Sequence, residues 1–160
     1  MKGAPHTGGR FLFGKIFIVL VAFALLGFFN GAIGKAIGMY EMAAYRVAPS
    51  AERAAMYGER HFDARHPDLY DIDRAEYFYR ELEKLDTNYP YLYHQLARIE
   101  FLRGNFGTAM IYINRQIELH GEGAPNSYYM RGLIEGYDGN YEAAVRDYAH
   151  FLKSDPDSWA

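Results

Sequence analysis

A 35-residue echo near the C-terminus constrains this chain more than any other feature. Gly104-Asn105-Phe106 returns as Gly139-Asn140-Tyr141, and in the same register Tyr93 returns as Tyr128, Ala97 as Gly132, Ala109 as Ala144, Met110 as Val145 and Ile117 as Leu152. A period of about 34 residues built from helical pieces marks a stacked array of helix hairpins. Each hairpin leaves an apolar face that only a neighbour can cover, so the units stack. The pattern predicts an all-α fold, and arrays of this kind bind other chains far more often than they carry chemistry.

The helices are readable one by one. Asp71 to Asp86 is a strong helix, with Asp71 or Asp73 as its cap and Ala75, Phe78, Tyr79 and Leu82 as its apolar stripe. Tyr91 to Arg103 follows Pro90, with Leu92, Leu96, Ile99 and Phe101 apolar. Gly104-Asn105 makes a tight turn, because both residues tolerate positive φ. Further helices are predicted from about Phe106 to His120, Ala124 to Asp138 and Tyr141 to Lys153, with Pro125 in a first turn and Pro156 as the stop. Short turns between such helices give antiparallel hairpins.

The second organising feature is Ile16 to Gly34, a run of 19 residues without a charge, IFIVLVAFALLGFFNGAIG. As a helix it spans roughly 28 Å at ~1.5 Å per residue, close to the ~30 Å hydrocarbon core of a bilayer. The length favours an uncleaved signal anchor over a cleaved signal peptide, whose apolar core is typically ~7–15 residues. Lys2, Arg10 and Lys15 precede the run, and Lys35 and Arg46 follow it beside Glu41. The positive-inside rule then leaves residues 1–15 as a short cytoplasmic N-terminus. The C-terminal domain is then expected outside the cytoplasm, in a periplasm or at a cell surface. Two glycine pairs, Gly27 with Gly31 and Gly34 with Gly38, have the four-residue spacing of close helix–helix contacts in lipid.

Residues 35–47 keep helical spacing through Ile37, Tyr40, Ala44 and Val47, so 16–47 reads as a transmembrane helix with an amphipathic extension. Pro49 ends it. Residues 50–70 read as a capping helix over 51–60 and a loop over 62–70 broken by Pro67.

Charge and composition exclude several classes. The formal net charge is -3, and all 20 acidic residues lie beyond position 40. A weakly acidic domain without clustered Lys and Arg is a poor nucleic-acid binder. Cysteine is absent, so disulfides and thiolate metal sites are not available. His61, Asp63 and His66 with Asp68, Asp71 and Asp73 form the one cluster of metal-capable side chains, but the spacing fits a solvated loop with a capping Asp and no standard zinc motif. The four serines, Ser50, Ser127, Ser154 and Ser158, stand in no nucleophile motif. The chain is expected to be no enzyme and to hold no cofactor or metal.

These residues resemble the tetratricopeptide repeat. That family's unit places small residues, a turn glycine, two aromatics, an alanine and a closing proline in fixed order. Counted from Pro125, Gly132, Gly139, Tyr141, Ala144, Tyr148 and Pro156 occupy those places. Counted from Pro90, Ala97, Gly104, Phe106 and Ala109 do so, while Ile113 replaces the later aromatic and Gly121 the proline. The resemblance implies full units at 90–121 and 125–158 and a degenerate half unit at 71–87, together a repeat domain of 71–158. It also implies a right-handed superhelix whose concave groove is lined by the first helix of each pair. His94, Gln95, Arg98, Phe101 and Leu102 would face that groove from one unit, and Tyr129, Leu133 and Tyr137 from the next. An aromatic floor with one Arg suits an extended peptide or a partner helix. The residues after Pro156 are too few for the solvating helix that usually closes such an array, so none is expected within this sequence. The outer face of Tyr141 to Lys153, with Val145, Tyr148, Phe151 and Leu152, is therefore expected to stack on a second copy, the membrane extension or another subunit. The expected partners are a protein or a second copy, and the lipid bilayer through 16–34. The functional expectation is a membrane-anchored scaffold for protein–protein interaction; the alternative is a structural or accessory subunit of a larger membrane complex or self-assembling oligomer.

Overall fold

A computed structural model describes residues 8–154 and 156, with only the backbone for 8–15 and 30. The basic side chains Lys2, Arg10 and Lys15, on which the predicted orientation leans, lie outside what is described. Seven α-helices follow one another: α1 (Gly8–Val47), α2 (Ala51–Phe62), α3 (Ile72–Leu85), α4 (Leu92–Leu102), α5 (Phe106–His120), α6 (Pro125–Tyr137) and α7 (Tyr141–Ser154). A single 3-10 turn, Gly121–Gly123, lies between α5 and α6, and no strand occurs among the described residues. Helices α2 to α7 pair as three hairpins, α2 with α3, α4 with α5 and α6 with α7, which pack in chain order.

The boundaries have local causes. Ser50 accepts a hydrogen bond from the Arg53 amide (3.2 Å) and Asp71 from the Arg74 amide (3.0 Å), so a side-chain oxygen caps α2 and α3. The echo is one turn made twice. Gly104 and Gly139 take φ of 77° and 84°, and the amides of Asn105 and Asn140 reach back to the carbonyls of Glu100 (2.9 Å) and Glu135 (2.8 Å). A left-handed glycine followed by that six-to-one hydrogen bond closes a helix and satisfies its last carbonyls. Tyr91, predicted as the first helical residue, instead takes φ of 62°, so α4 begins at Leu92.

The interior is filled in two blocks. Phe78, Tyr79, Leu82, Leu92, Leu96 and Ile99 join α3 to α4. Ala109, Ile113, Met130 and Ile134 join α5 to α6, with Ala97 of α4. Small residues admit the facing rings. A Cβ on Gly132 would lie 2.7 Å from the Tyr148 ring, and one on Gly58 would lie 2.8 Å from the Tyr79 ring. Gly58 therefore does in α2/α3 what Gly132 does in α6/α7. Residues 51–62 are the first helix of a packed pair, although the loop that follows shifts them out of the 35-residue register.

Helix α1 carries the apolar run, and over Ile16–Val47 it is long and apolar enough to cross a bilayer. Its last turns lie on the first hairpin through a stripe of Gly34, Gly38, Glu41 and Tyr45, all buried. Gly38 sits by Arg74 and Tyr45 meets Phe78 edge-on at 5.7 Å, so α1 runs in the same sense as α3. Glu41 meets His61, and the Ala48 carbonyl accepts from Arg53 (2.5 Å), so α1 runs opposite to α2.

This placement corrects part of the glycine expectation. Gly34 and Gly38 face the chain's own Asp68 carbonyl and Arg74 guanidinium, while Gly27 and Gly31 have nothing within 4 Å. The two upper glycines differ in what they admit. A methyl at Gly34 meets backbone, whereas one at Gly38 meets the far end of a flexible side chain. Gly34→Ala is expected to lift the 63–70 loop from α1 and speed tryptic cleavage after Arg65. Gly38→Ala is expected to leave cleavage unchanged, since the guanidinium swings aside and alanine favours the helix by ~0.8–1 kcal/mol.

Candidate functional site

The site begins with a buried histidine. His61 is fully buried, donates from Nδ1 to the Leu69 carbonyl (2.8 Å) and holds Nε2 2.7 Å from Glu41 Oε2. Arg60 pairs with the other oxygen of the same carboxylate. This corrects the reading of His61 as part of a solvated loop. One imidazole ties α1, α2 and the 63–70 loop together, and a hydrogen-bonded polar pair removed from water in this way holds geometry because either partner left alone is costly to bury.

The loop so fixed forms one wall of a cavity of about 1010 Å³. Helix α2 supplies Met56 and Phe62, the loop supplies Leu69 and Tyr70, and α4 supplies Gln95, Arg98 and Leu102. Phe62 stacks on Tyr70 at 6.3 Å, and the Arg98 guanidinium lies 4.6 Å above the Phe62 ring. Arg98 also donates to Gln95 Oε1 (2.8 Å), which holds the charge across the cavity wall. The other arginines of the wall are already paired, Arg60 with Glu41 and Arg65 with Asp63. Hydrogen bonds from the Arg65 side chain and amide hold the Asp63 carboxyl down at about 2. Arg98 pairs with no carboxylate among the described residues. The arrangement suits an extended segment with apolar side chains for Phe62, Leu69 and Leu102 and a polar or acidic group for Arg98.

The eight predicted groove residues do not share one surface. Gln95, Arg98 and Leu102 line the cavity. His94 is turned into the joint between hairpins, where its amide donates to Gln116 Oε1 (3.1 Å) and its Nδ1 lies 3.1 Å from Ser127 Oγ. Phe101 and Tyr137 form an aromatic group with Phe106, at 5.1 Å and 5.7 Å from the Tyr137 ring. Leu133 packs in the second core block. Tyr129 sits within the last hairpin against Tyr148 (5.6 Å) and Phe151 (5.4 Å). The cavity faces α2 and its loop because α4 is flanked there by a first hairpin that the repeat register hides. Phe62, Leu69 and Tyr70, apolar residues on both sides of Pro67, were the signal in the sequence that this loop is packed.

The predicted end face divides in the same way. Phe151 is buried and Tyr148 lies over Gly132, so both belong to the interior of the last hairpin, while Val145 and Leu152 remain exposed. Burial, and then the Arg98 charge, hold the His94 imidazole down at about 4. The folded state therefore keeps His94 neutral where an unfolded chain would protonate it, below ~6.5. Stability is expected to fall as pH drops from about 6.5 towards about 4. Urea titrations across that window should show a smaller slope for His94→Gln than for the parent.

Residues 125–158, which span α6 and α7, match the model of the tetratricopeptide repeat family. No curated protein matches the chain. Among solved structures, the crystal structure of MamA is similar, with a TM-score of 0.64 over 77% of this chain and 69% of that one. The two sequences are 18% identical, so the likeness speaks for the fold. The chain carries a tetratricopeptide repeat within an all-helical hairpin stack, an architecture of interaction scaffolds.

Proposed function

We propose that this chain is a non-enzymatic scaffold, tethered to a membrane by the apolar part of α1, that holds a segment of a partner protein in the cavity between α2, the 63–70 loop and α4. The observation that carries the reading is Arg98, an arginine without a carboxylate partner among the described residues, fixed over Phe62 in a half-apolar cavity. Tethering supports it, because confinement at a surface raises the effective concentration of the site for neighbouring proteins. The charge pattern around 16–34 favours a cytoplasmic N-terminus and an extracytoplasmic repeat domain. A second reading, a structural or accessory subunit of a larger assembly, is favoured by the exposed Tyr141, Val145 and Leu152 on the last helix.

Membranes carrying the tagged full chain, solubilised and analysed by quantitative mass spectrometry, test the first reading. Proteins that co-purify with the parent and with Ile111→Glu, but drop at least tenfold with Arg98→Glu, are expected. Ile111 is exposed on α5, away from the cavity. Equal recovery with Arg98→Glu would leave the cavity without a role.

A further inference from the structure

Both ends of the helix stack present apolar stripes that nothing among the described residues covers. On α7, Tyr141, Val145 and Leu152 are 71%, 64% and 41% exposed. In the 35-residue register the same positions on α5 are Phe106, Met110 and Ile117. There α6 packs on the helix, and all three are partly covered. The internal repeat thus says what the α7 stripe accepts: the apolar side of another helix. At the opposite end, α1 buries Gly34, Gly38, Glu41 and Tyr45 on the first hairpin and turns Met39, Tyr40 and Val47 outward, 70%, 72% and 86% exposed. These three lie past the uncharged run of 16–34, level with the repeat domain.

The directions suit copies in one bilayer, although α6 runs opposite to α5, so the internal contact is a guide to the stripe and not to the sense of the helix on it. Helix α1 runs in the same sense as α3, and α3 and α7 are both second helices of stacked hairpins, so α1 and α7 are parallel. Copies whose α1 helices cross one bilayer in one direction can set α1 of one against α7 of the next without inverting either. We propose that the outer stripe of α7 docks on the outer stripe of α1 of a second copy, forming a head-to-tail contact between two different surfaces. A heterologous contact of this kind builds rings where the rotation between copies closes and rows along the membrane where it does not. A few side chains on each partner fall short of the ~800 Å² per partner of a standard stable interface. The contact therefore depends on crowding of copies within one bilayer, and for that alone it rests on the tether.

The chain has no cysteine, which makes crosslinking clean. Tyr40→Cys and Val145→Cys, placed separately in the full chain, are reconstituted in liposomes, floated to confirm insertion, and treated with a short bismaleimide. Each variant alone is expected to stay monomeric, an equimolar mixture to give a dimer, and the double variant a ladder of trimers and above. Leu152→Glu in the double variant is expected to abolish the ladder, and Ile111→Glu to leave it. Dimers from Val145→Cys alone, as abundant as from the mixture, would mean that α7 pairs with α7 and would overturn the proposal. So would a mixture that floats but remains monomeric. If the chain does not float, the tether fails, and the same crosslinking in concentrated solution decides the contact: a ladder upholds it, monomers overturn it.

Discussion

Phe78→Ala is expected to lower the stability of the first hairpin by about 3–5 kcal/mol and to release α1 from it. Phe78 is fully buried and lies at the meeting of three helices. Its ring is 5.7 Å from Tyr45 of α1, 5.1 Å from Tyr57 and 6.0 Å from His61 of α2, and 5.2 Å from Tyr77 of α3. Truncation leaves a cavity that Tyr45 cannot fill without shifting α1, whose Glu41 is locked to His61 one turn away along the same packing line. The ring is thus what couples α1 to the repeats. Denaturant unfolding in detergent gives the stability, and tryptic cleavage after Arg46 reports the release of α1. Leu152→Ala on the far helix is expected to stay within about 0.5 kcal/mol, as exposed positions generally do.

The other large effect is expected at the opposite end. The Arg131 guanidinium meets Asp147 with two hydrogen bonds, Nε to Oδ2 (2.5 Å) and Nη2 to Oδ1 (2.7 Å), and donates from Nη1 to Asn114 Oδ1 (3.0 Å). One side chain of α6 therefore binds α5 and α7 together. The Asp147 hydrogen bonds raise the Arg131 pKa further, while burial and the nearby Asp147 charge raise that of Glu135. Asp147→Ala leaves a half-buried guanidinium without its counter-charge, a change that costs about 3–5 kcal/mol in buried pairs. The loss should be local, because a repeat stack is stabilised by nearest-neighbour interfaces. Hydrogen exchange is expected to rise at least tenfold across α6 and α7 while α3 and α4 keep their protection. A uniform rise over all helices would mean that the stack unfolds as one unit.

The parts of this fold that were legible in the sequence are those governed by local chemistry. The helix over 106–120, the turns at Gly104 and Gly139 and the end of α1 before Pro49 depend on propensity, backbone sterics and a repeat in register. What escaped was set by contacts between distant residues. Glu41 and His61 are 20 positions apart, and neither reads as buried until α1 is laid along α2. Gly58 has the same duty as Gly132, but the loop after Phe62 moves it out of register. Of the groove positions read from the family, Gln95, Arg98 and Leu102 line the cavity that α4 borders. His94 turns into the joint between hairpins and Tyr129 into the interior of the last hairpin, directions that packing between distant residues sets and no pattern of residue types encodes.

Photocrosslinking in intact membranes tests most directly the idea that a tethered cavity receives a partner. A photoreactive residue replaces Leu102 at the cavity wall or Ile111 on the far side of α5. A discrete adduct at 102 that is absent at 111, and lost when Arg98→Glu is added, is the predicted result. Adducts of equal yield at both positions, or none at 102 in membranes where the chain is abundant, would contradict it.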